Sequence, residues 1–528
     1  MVDSTPSLWD HQQAGIKLAR NLPGCAFFFS MGLGKTRATL EALREQMNAE
    51  KRIVRGFIFT KPIVVPQWKE EWLKFTKIPP AKVVLLQGSQ ANRNKEFVKH
   101  AYDPEGKAVG CIFVTNTEAL LMKDLMAHLE LWKVEALVFD ESHELKSPEA
   151  IRSKNAYHLA NPWNKKERRP EPKPKTFILT GSPVLNDPLD LFQQVKIMLG
   201  GWPSLNWFTN YDPRFLVSNF YHFRARYFRD KNAGFRGTDK YFPNWQPMTV
   251  KEDGFDALGE IADILQRISV RATKAVLNLP PEIAVTTHVP MLKEQGRVYE
   301  EMRDDLISYV SDERACVASL AITKALRLMQ IVSGFVSTEG RGEEMDKADV
   351  SWKDTPKDEA LIDILESVTP TSKILVWAVW RENYERIRKI FEKLGIGYVE
   401  AHGGVSDRAK LECVEEFKNN SRKRAFLGHP GSGGVGLNLV GVPGTEDRCA
   451  YSVFYSRNFS LAHYLQARSR NHRAGQTESV THYDLSCKGT IDDVALSKLA
   501  EKASLGDRLL SPEKTLSLKD IVMGLKQA

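Results

Sequence analysis

The segment Met31-Gly32-Leu33-Gly34-Lys35-Thr36, followed about a hundred residues later by Asp140-Glu141-Ser142-His143, constrains this chain more than any other feature. A glycine-rich turn feeding a helix from Thr36 to about Met47 aims backbone N–H groups and a positive helix end at a phosphate. Lys35 then bridges the terminal phosphates. Val134-Glu135 precede the apolar run Ala136-Leu137-Val138-Phe139, which reads as a short buried strand. Its carboxyl end would deliver Asp140 to a Mg²⁺ shell shared with Thr36, partly through water, and Glu141 to an attacking water. Taken singly, the two halves are a turn and a surface acidic cluster. Phe29 also stands where the general phosphate-loop pattern places its first glycine. Together and in this order they predict a site for ATP and Mg²⁺, with Met31 to Thr36 as the phosphate cradle.

A chain of 528 residues is too long for one core, so roughly two to four domains are expected. No apolar run approaches the ~20 residues needed to cross a bilayer, and Met1 to Pro6 carry neither a basic region nor an apolar signal core. A cytoplasmic location and no membrane partner are the expectations. The six cysteines are scattered, without a Cys-x-x-Cys pair, which argues against a zinc site or disulfide framework. A net charge of +8 favours a polyanionic partner without establishing one.

From Ser7 to about Gly200, short apolar runs alternate with amphipathic stretches, as in a parallel sheet covered by helices. Gly56–Thr60, Ile112–Thr115 and Thr176–Thr180 read as further strands, each ending in a polar or turn segment where ligands gather in open α/β sheets. Residues 164–175 read as an exposed basic loop. From about 201 the character changes to aromatics interleaved with arginines, among them Trp207, Tyr211, Phe223, Arg224, Arg226, Tyr227 and Arg229. Rings at helical spacing more often pack a small helical domain than stack on bases, so only the basic residues Arg224, Arg226 and Arg229 are assigned to DNA. A helical segment from Leu292 to about Gly334 and an acidic linker from Ser337 to Pro356 follow. A second strand-and-helix region begins near Asp358, with strands at Lys373–Val379, Arg424–Gly428 and Arg448–Tyr455. The expected domains are 1–200, 201–285, 286–356, 357–485 and a C-terminal helical extension at 486–528.

The second region has no lysine-containing phosphate loop of its own. It carries instead Gln466-Ala467-Arg468-Ser469-Arg470-Asn471-His472-Arg473-Ala474-Gly475-Gln476. On a helix, Arg470 and Arg473 would share a face and could reach a γ-phosphate as arginine fingers. A solvated basic helix is the commoner meaning of such a cluster, but a phosphate loop otherwise lacks half of its transition-state clamp.

At this point the ordered motifs resemble those of the Snf2 family of superfamily 2 helicase-like ATPases, from about Leu8 to Leu510. Leu8-Trp9-Asp10-His11-Gln12 resembles the adenine-reading Q motif, which implies Gln12 as the base contact. Pro66 to Trp72 resembles motif Ia, and Asn116-Thr117-Glu118-Ala119-Leu120 occupies the place of motif Ib, implying DNA contacts at Asn116 and Thr117. Leu179-Thr180-Gly181-Ser182-Pro183-Val184-Leu185-Asn186 is similar to the motif that couples hydrolysis to lobe movement. Arg271 to Pro281 resembles the end of the family's first helical insertion. Gly431 to Leu439 looks like motif V, with Gly436 at the nucleotide, and Gln466 to Gln476 like motif VI. Ser30, Ser142 and the segment Tyr455 to Phe459 depart from the usual pattern, whereas Lys35, Thr36, Asp140, Glu141, Arg470 and Arg473 are intact. The resemblance implies an α/β fold of two RecA-like lobes with helical insertions. It also implies a DNA-dependent ATPase, and the lack of recognisable chromatin-reading modules points to a compact bacterial or bacteriophage member.

The leading expectation is a motor that moves on double-stranded or branched DNA, with branch migration or fork remodelling as its use. A strand-separating helicase, an ATP-switched DNA clamp and a remodeller of DNA-bound proteins remain open.

Overall fold

Strands such as Gly24–Phe29 and Cys111–Asn116 are buried along nearly their whole length and therefore need cover on both faces. That requirement sets the architecture. The computed structural model describes residues 7–164, 167–185, 187–235, 243–311, 318–337, 350–369, 371–431, 439–441 and 448–510. The chain divides into two units, one drawn mainly from residues up to Arg229 with Trp245–Val276, the other from Asp230–Asn244 with Leu277–Ser504.

The first unit is built on a sheet of seven strands, all parallel. These are β1 (Gly24–Phe29), β2 (Arg55–Thr60), β3 (Val83–Leu85), β4 (Cys111–Asn116), β5 (Ala136–Asp140), β6 (Lys175–Leu179) and β7 (Ser269–Ala272), in the order β7-β1-β6-β5-β2-β4-β3. Aromatic residues fill the layer between strands and helices. Phe59 and Phe139 stack with ring centroids 5.4 Å apart, and Trp132 packs edge to face on both Phe97 and Phe113. The second unit holds six parallel strands: β8 (Glu282–Val289), β9 (Lys373–Trp377), β10 (Gly397–Ala401), β11 (Lys423–Gly428), β12 (Cys449–Phe454) and β13 (Val480–Cys487). Their order is β8-β13-β12-β9-β11-β10. Its core runs from Leu328 and Val332 through Leu361, Val376 and Ile387 to Leu485. The expected class holds: two parallel α/β sheets covered by helices, with helical insertions.

Two boundaries are corrected. Residues 201–285 are not wholly a helical insertion, because β7 pairs with β1 from Ala26↔Ser269 to Phe29↔Ala272 and so closes the edge of the first sheet. Nor does the second α/β region begin at 357, since β8 pairs with β13 along its full length. Both strands are edge strands with mixed polar sequences and partial burial, so no apolar run marks them. Short strands β3 and β10 were also without a strong signal.

Of the rings of the insertion, Trp207, Phe223 and Tyr227 behave as core, whereas Tyr211 is exposed. Phe223 and Tyr227 are buried, and Phe223 lies 4.7 Å from Trp202 and 5.1 Å from Phe192, ring centre to ring centre. The helix Ala257–Ile268 buries Ile261, Ile264, Leu265 and Ile268 at helical spacing and is capped by Asp256. The expected basic loop contains a small exposed hairpin, Trp163–Asn164 against Arg169–Pro170. Its two last lysines are not displayed for a ligand. Lys173 donates to the Leu199 carbonyl at 2.6 Å and Lys175 to Leu22 at 2.6 Å, satisfying carbonyls at two helix ends. Helices Lys293–Ser311 and Ala318–Val332 occupy the expected helical segment, and Phe335–Val336 then pairs with Val350–Ser351. The C-terminal helix spans Ile491–Leu510, and residues 511–528 lie outside the described residues. Among the described residues no helix is long and apolar enough to cross a membrane.

Candidate functional site

The phosphate loop leaves β1 at Phe29 and enters the helix Lys35–Glu50. Gly32 and Gly34 both have positive φ, 84° and 72°, a conformation that glycine adopts without strain. At Gly34 the need for glycine is also steric. A Cβ there would stand 2.2 Å from Nε2 of Gln12. Leu33 is fully buried, the Ser30 amide donates to Ala272 at 2.8 Å, and Lys35 Nζ donates to the Phe29 carbonyl at 3.1 Å. Met31 and Thr36 complete the turn, with Thr36 in the first turn of the helix. Gln12 is buried against this loop: its Nε2 is 3.4 Å from the carbonyls of Leu33 and Gly34, and its Oε1 accepts the Trp9 amide at 3.0 Å. His11 adds a 2.9 Å contact to the Leu33 carbonyl. Both side chains hold the loop's shape.

Two strands away in the sheet, β5 ends on Asp140. Its Oδ2 accepts the Thr60 hydroxyl at 2.9 Å and the indole N–H of Trp68 at 3.2 Å, while Oδ1 accepts the Glu141 amide at 3.0 Å. Burial first, and then the neighbouring Glu141, push the Asp140 carboxyl above its ordinary range, against the pull of Lys35. Glu141 sits in the left-handed backbone region at φ 52° and ψ 48°, a strained conformation for a residue with a Cβ. Its Oε2 is buried and accepts no hydrogen bond among the described residues, with Nδ1 of His143 3.3 Å away. Two adjacent buried carboxylates, one of them with an unused oxygen, are a donor set that fits a hard divalent cation. Thr36 and Asp140 are the residues that would hold Mg²⁺.

The sequence reading missed how this centre is braced. His143 Nδ1 lies 3.0 Å from the Thr180 hydroxyl, which in turn accepts the Ser182 amide at 3.1 Å. Burial drives the His143 imidazole down to about 4, so it is neutral at physiological pH. Ser142 donates to Gln194 at 2.8 Å, and Gln194 donates to the Pro183 carbonyl at 2.9 Å. Gly181 approaches the phosphate loop closely, a Cβ there meeting the Phe29 carbonyl at 3.4 Å. Asn186 lies outside the described residues. Thr60 carried a usable signal, being a polar residue at the carboxyl end of an apolar strand. Gln194 carried none, because a glutamine inside an amphipathic helix reads as surface.

In the second unit the expected helix is corrected. The helix Leu461–Arg468 ends before Arg470, and residues 469–476 form successive turns, so helical spacing does not decide where Arg470 and Arg473 point. The cause is local. Gln476 donates to the Cys449 carbonyl at 3.1 Å and the Asn471 carbonyl at 3.0 Å, and Gly475 reverses the chain at φ 96°. Arg470 is buried and its carbonyl accepts the Leu439 amide at 3.1 Å, whereas Arg473 is partly exposed. Gly436, with residues 432–438, lies outside the described residues.

Among the DNA candidates, Asn116 follows the apolar stretch of β4 and accepts from Arg93. The Thr117 side chain is buried, its hydroxyl donating to the Thr60 carbonyl at 3.2 Å. Arg226 pairs with Glu260 at 2.8 Å, and Arg229 pairs with Asp253 at 3.1 Å and with Glu252. Arg224 lies over the Trp245 ring, 3.9 Å from its centroid.

The SNF2-related domain model matches residues 11–333 and the helicase conserved C-terminal domain model matches residues 356–475. An uncharacterised ATP-dependent helicase of Mycoplasma pneumoniae is 24% identical over 96% of this chain and 42% of its own length. The DNA repair and recombination protein RDH54 of Saccharomyces cerevisiae is 21% identical over 93% of this chain and 52% of its own. Putative protein p41 of Acyrthosiphon pisum secondary endosymbiont phage 1 is 25% identical over 92% of this chain and 94% of its own. The chain thus spans about half the length of the first two relatives and nearly all of the third. A solved Sulfolobus solfataricus SWI2/SNF2 ATPase core in complex with dsDNA aligns over 98% of this chain and 96% of its own at 19% identity, with a TM-score of 0.39. With a family model covering more than half of its residues, the chain belongs to the SNF2-related family.

Proposed function

We propose that this chain hydrolyses ATP at the phosphate loop and uses the cycle to move along double-stranded or branched DNA without appreciably separating its strands. The observation that carries the hydrolytic part is the gathering of Lys35, Asp140 and Glu141 at the carboxyl ends of two strands of one sheet, β1 and β5, that are separated by a single strand, with Glu141 strained and Asp140 braced. Lys35 and the loop amides bind the terminal phosphates, and Glu141 orients the attacking water and takes its proton. When bound, Mg²⁺ withdraws charge from the phosphate oxygens. Arg470 and Arg473 supply positive charge to the transferred phosphoryl group. Gln12 acts first on the loop and through it on the nucleotide.

The repair-and-recombination name of the yeast relative and the net charge of +8 support a DNA partner. Asn116 and Arg224 are the candidate contacts with the least committed side chains. Pushing a junction suits such a motor, because exchanging one set of base pairs for an equal set is nearly neutral in energy.

The test is ATP-dependent displacement of a triplex strand beside unwinding of a simple tailed duplex. Displacement with little unwinding is expected. Efficient unwinding without displacement would establish a conventional helicase instead, and nucleotide-dependent DNA binding without DNA-stimulated turnover would establish a clamp.

A further inference from the structure

Glu282 is the first residue of β8, just after the segment 273–281 that joins the two sheets. Its carboxylate is surrounded. Oε1 lies 2.9 Å from Nε of Arg468 and 3.0 Å from Nε2 of His482, while Oε2 lies 3.2 Å from Nδ1 of His472. The other ring nitrogen of His472, Nε2, is 2.9 Å from the carbonyl oxygen of Pro280. Next to this group, Arg457 pairs with Asp484 at 3.2 Å, and the Tyr464 hydroxyl donates to Asp484 at 2.8 Å. Nearly all of these side chains are buried or half-buried, with His482 fully enclosed.

Arg468 is the last residue of its helix and His472 lies two residues beyond Arg470. One carboxylate therefore grips the arginine-bearing turn on both sides of Arg470 and one residue short of Arg473. We infer that Glu282 is a positioning residue that fixes this turn to the end of the joining segment, so that the presentation of Arg470 and Arg473 depends on where that segment leads. The inference rests on the catalytic assignment of those two arginines. Charge-assisted pairs in partly enclosed surroundings hold geometry more tightly than the neutral contacts a turn makes by itself. Removing the charge frees the turn without altering either arginine.

A double-mutant cycle on the full chain tests this. Glu282→Gln should lower the DNA-stimulated kcat roughly tenfold, leave the KM for ATP within about twofold, and have almost no further effect in a background that carries both Arg470→Ala and Arg473→Ala. His472→Asn, which removes the second grip, should reproduce the pattern and serves in place of Glu282→Gln if that variant does not fold. Unchanged turnover in Glu282→Gln, or the same fold-loss with both arginines present and with both removed, would overturn the inference by showing a contribution that does not act through the arginines. Wild-type turnover in the single variants Arg470→Ala and Arg473→Ala would overturn the arginine assignment itself, and that outcome is visible before the cycle is closed.

Discussion

Glu141 bears the clearest mark of function on a single residue. A non-glycine residue in the left-handed region costs of order 1 kcal/mol or more and persists only where its surroundings hold it. Here the Asp140 side chain accepts its amide, and the Ser142 and His143 side chains that follow are both buried and bonded. Oε2 of Glu141 is buried and has no donor among the described residues. Glu141→Gln keeps this shape and removes the base. The variant should bind ATP about as well as wild type while its turnover falls by roughly 10²-fold or more, read by nucleotide-binding and steady-state assays side by side. Wild-type turnover would show that another group handles the water.

At the scale of elements, the ends of β2 and β5 are joined through Thr60. Its hydroxyl fixes Asp140 while its carbonyl accepts Thr117, so a segment proposed for DNA and the carboxylate proposed for Mg²⁺ share one residue. Outer hydrogen bonds of this kind commonly tune metal affinity by 10–100-fold, so Thr60→Val should raise the Mg²⁺ concentration needed for half-maximal ATPase by about tenfold, and Thr60→Ser should restore it. A wild-type Mg²⁺ titration in Thr60→Val would assign Asp140's orientation to Trp68 alone. In the insertion, Arg226 and Arg229 are spent on Glu260, Asp253 and Glu252, whereas Arg224 rests on Trp245 and has no carboxylate partner among the described residues. The salt slope of DNA binding should consequently drop by about one for Arg224→Ala and change little for Arg226→Ala. The opposite ranking would mean that the Arg226 pair opens on binding.

At the scale of the molecule, each unit has its own sheet and core. In the second unit Lys357 meets Asp492 at 2.6 Å with both side chains almost fully enclosed. Breaking such a pair from one side leaves a buried charge, so Lys357→Met should destabilise that unit by about 3 kcal/mol. Calorimetry should resolve two transitions, with only one of them displaced by the substitution. A uniform shift would indicate a single cooperative fold. The sequence by itself determined the chemistry and the class. The turn Met31 to Thr36 and the step from Phe139 to Asp140 are local signals, because glycine freedom, strand length and the position of a polar residue after an apolar run are properties of neighbouring residues. Those local rules reached the ends of the central strands and the family motifs. They did not reach β7 and β8, whose partial burial depends on strands far away in the chain, nor the turns at 469–476, where Gln476 and Gly475 override the helical spacing. Nor could they join Gln12 to Gly34, Trp68 to Asp140 or Glu282 to His472, since each contact exists only because distant segments are folded against one another.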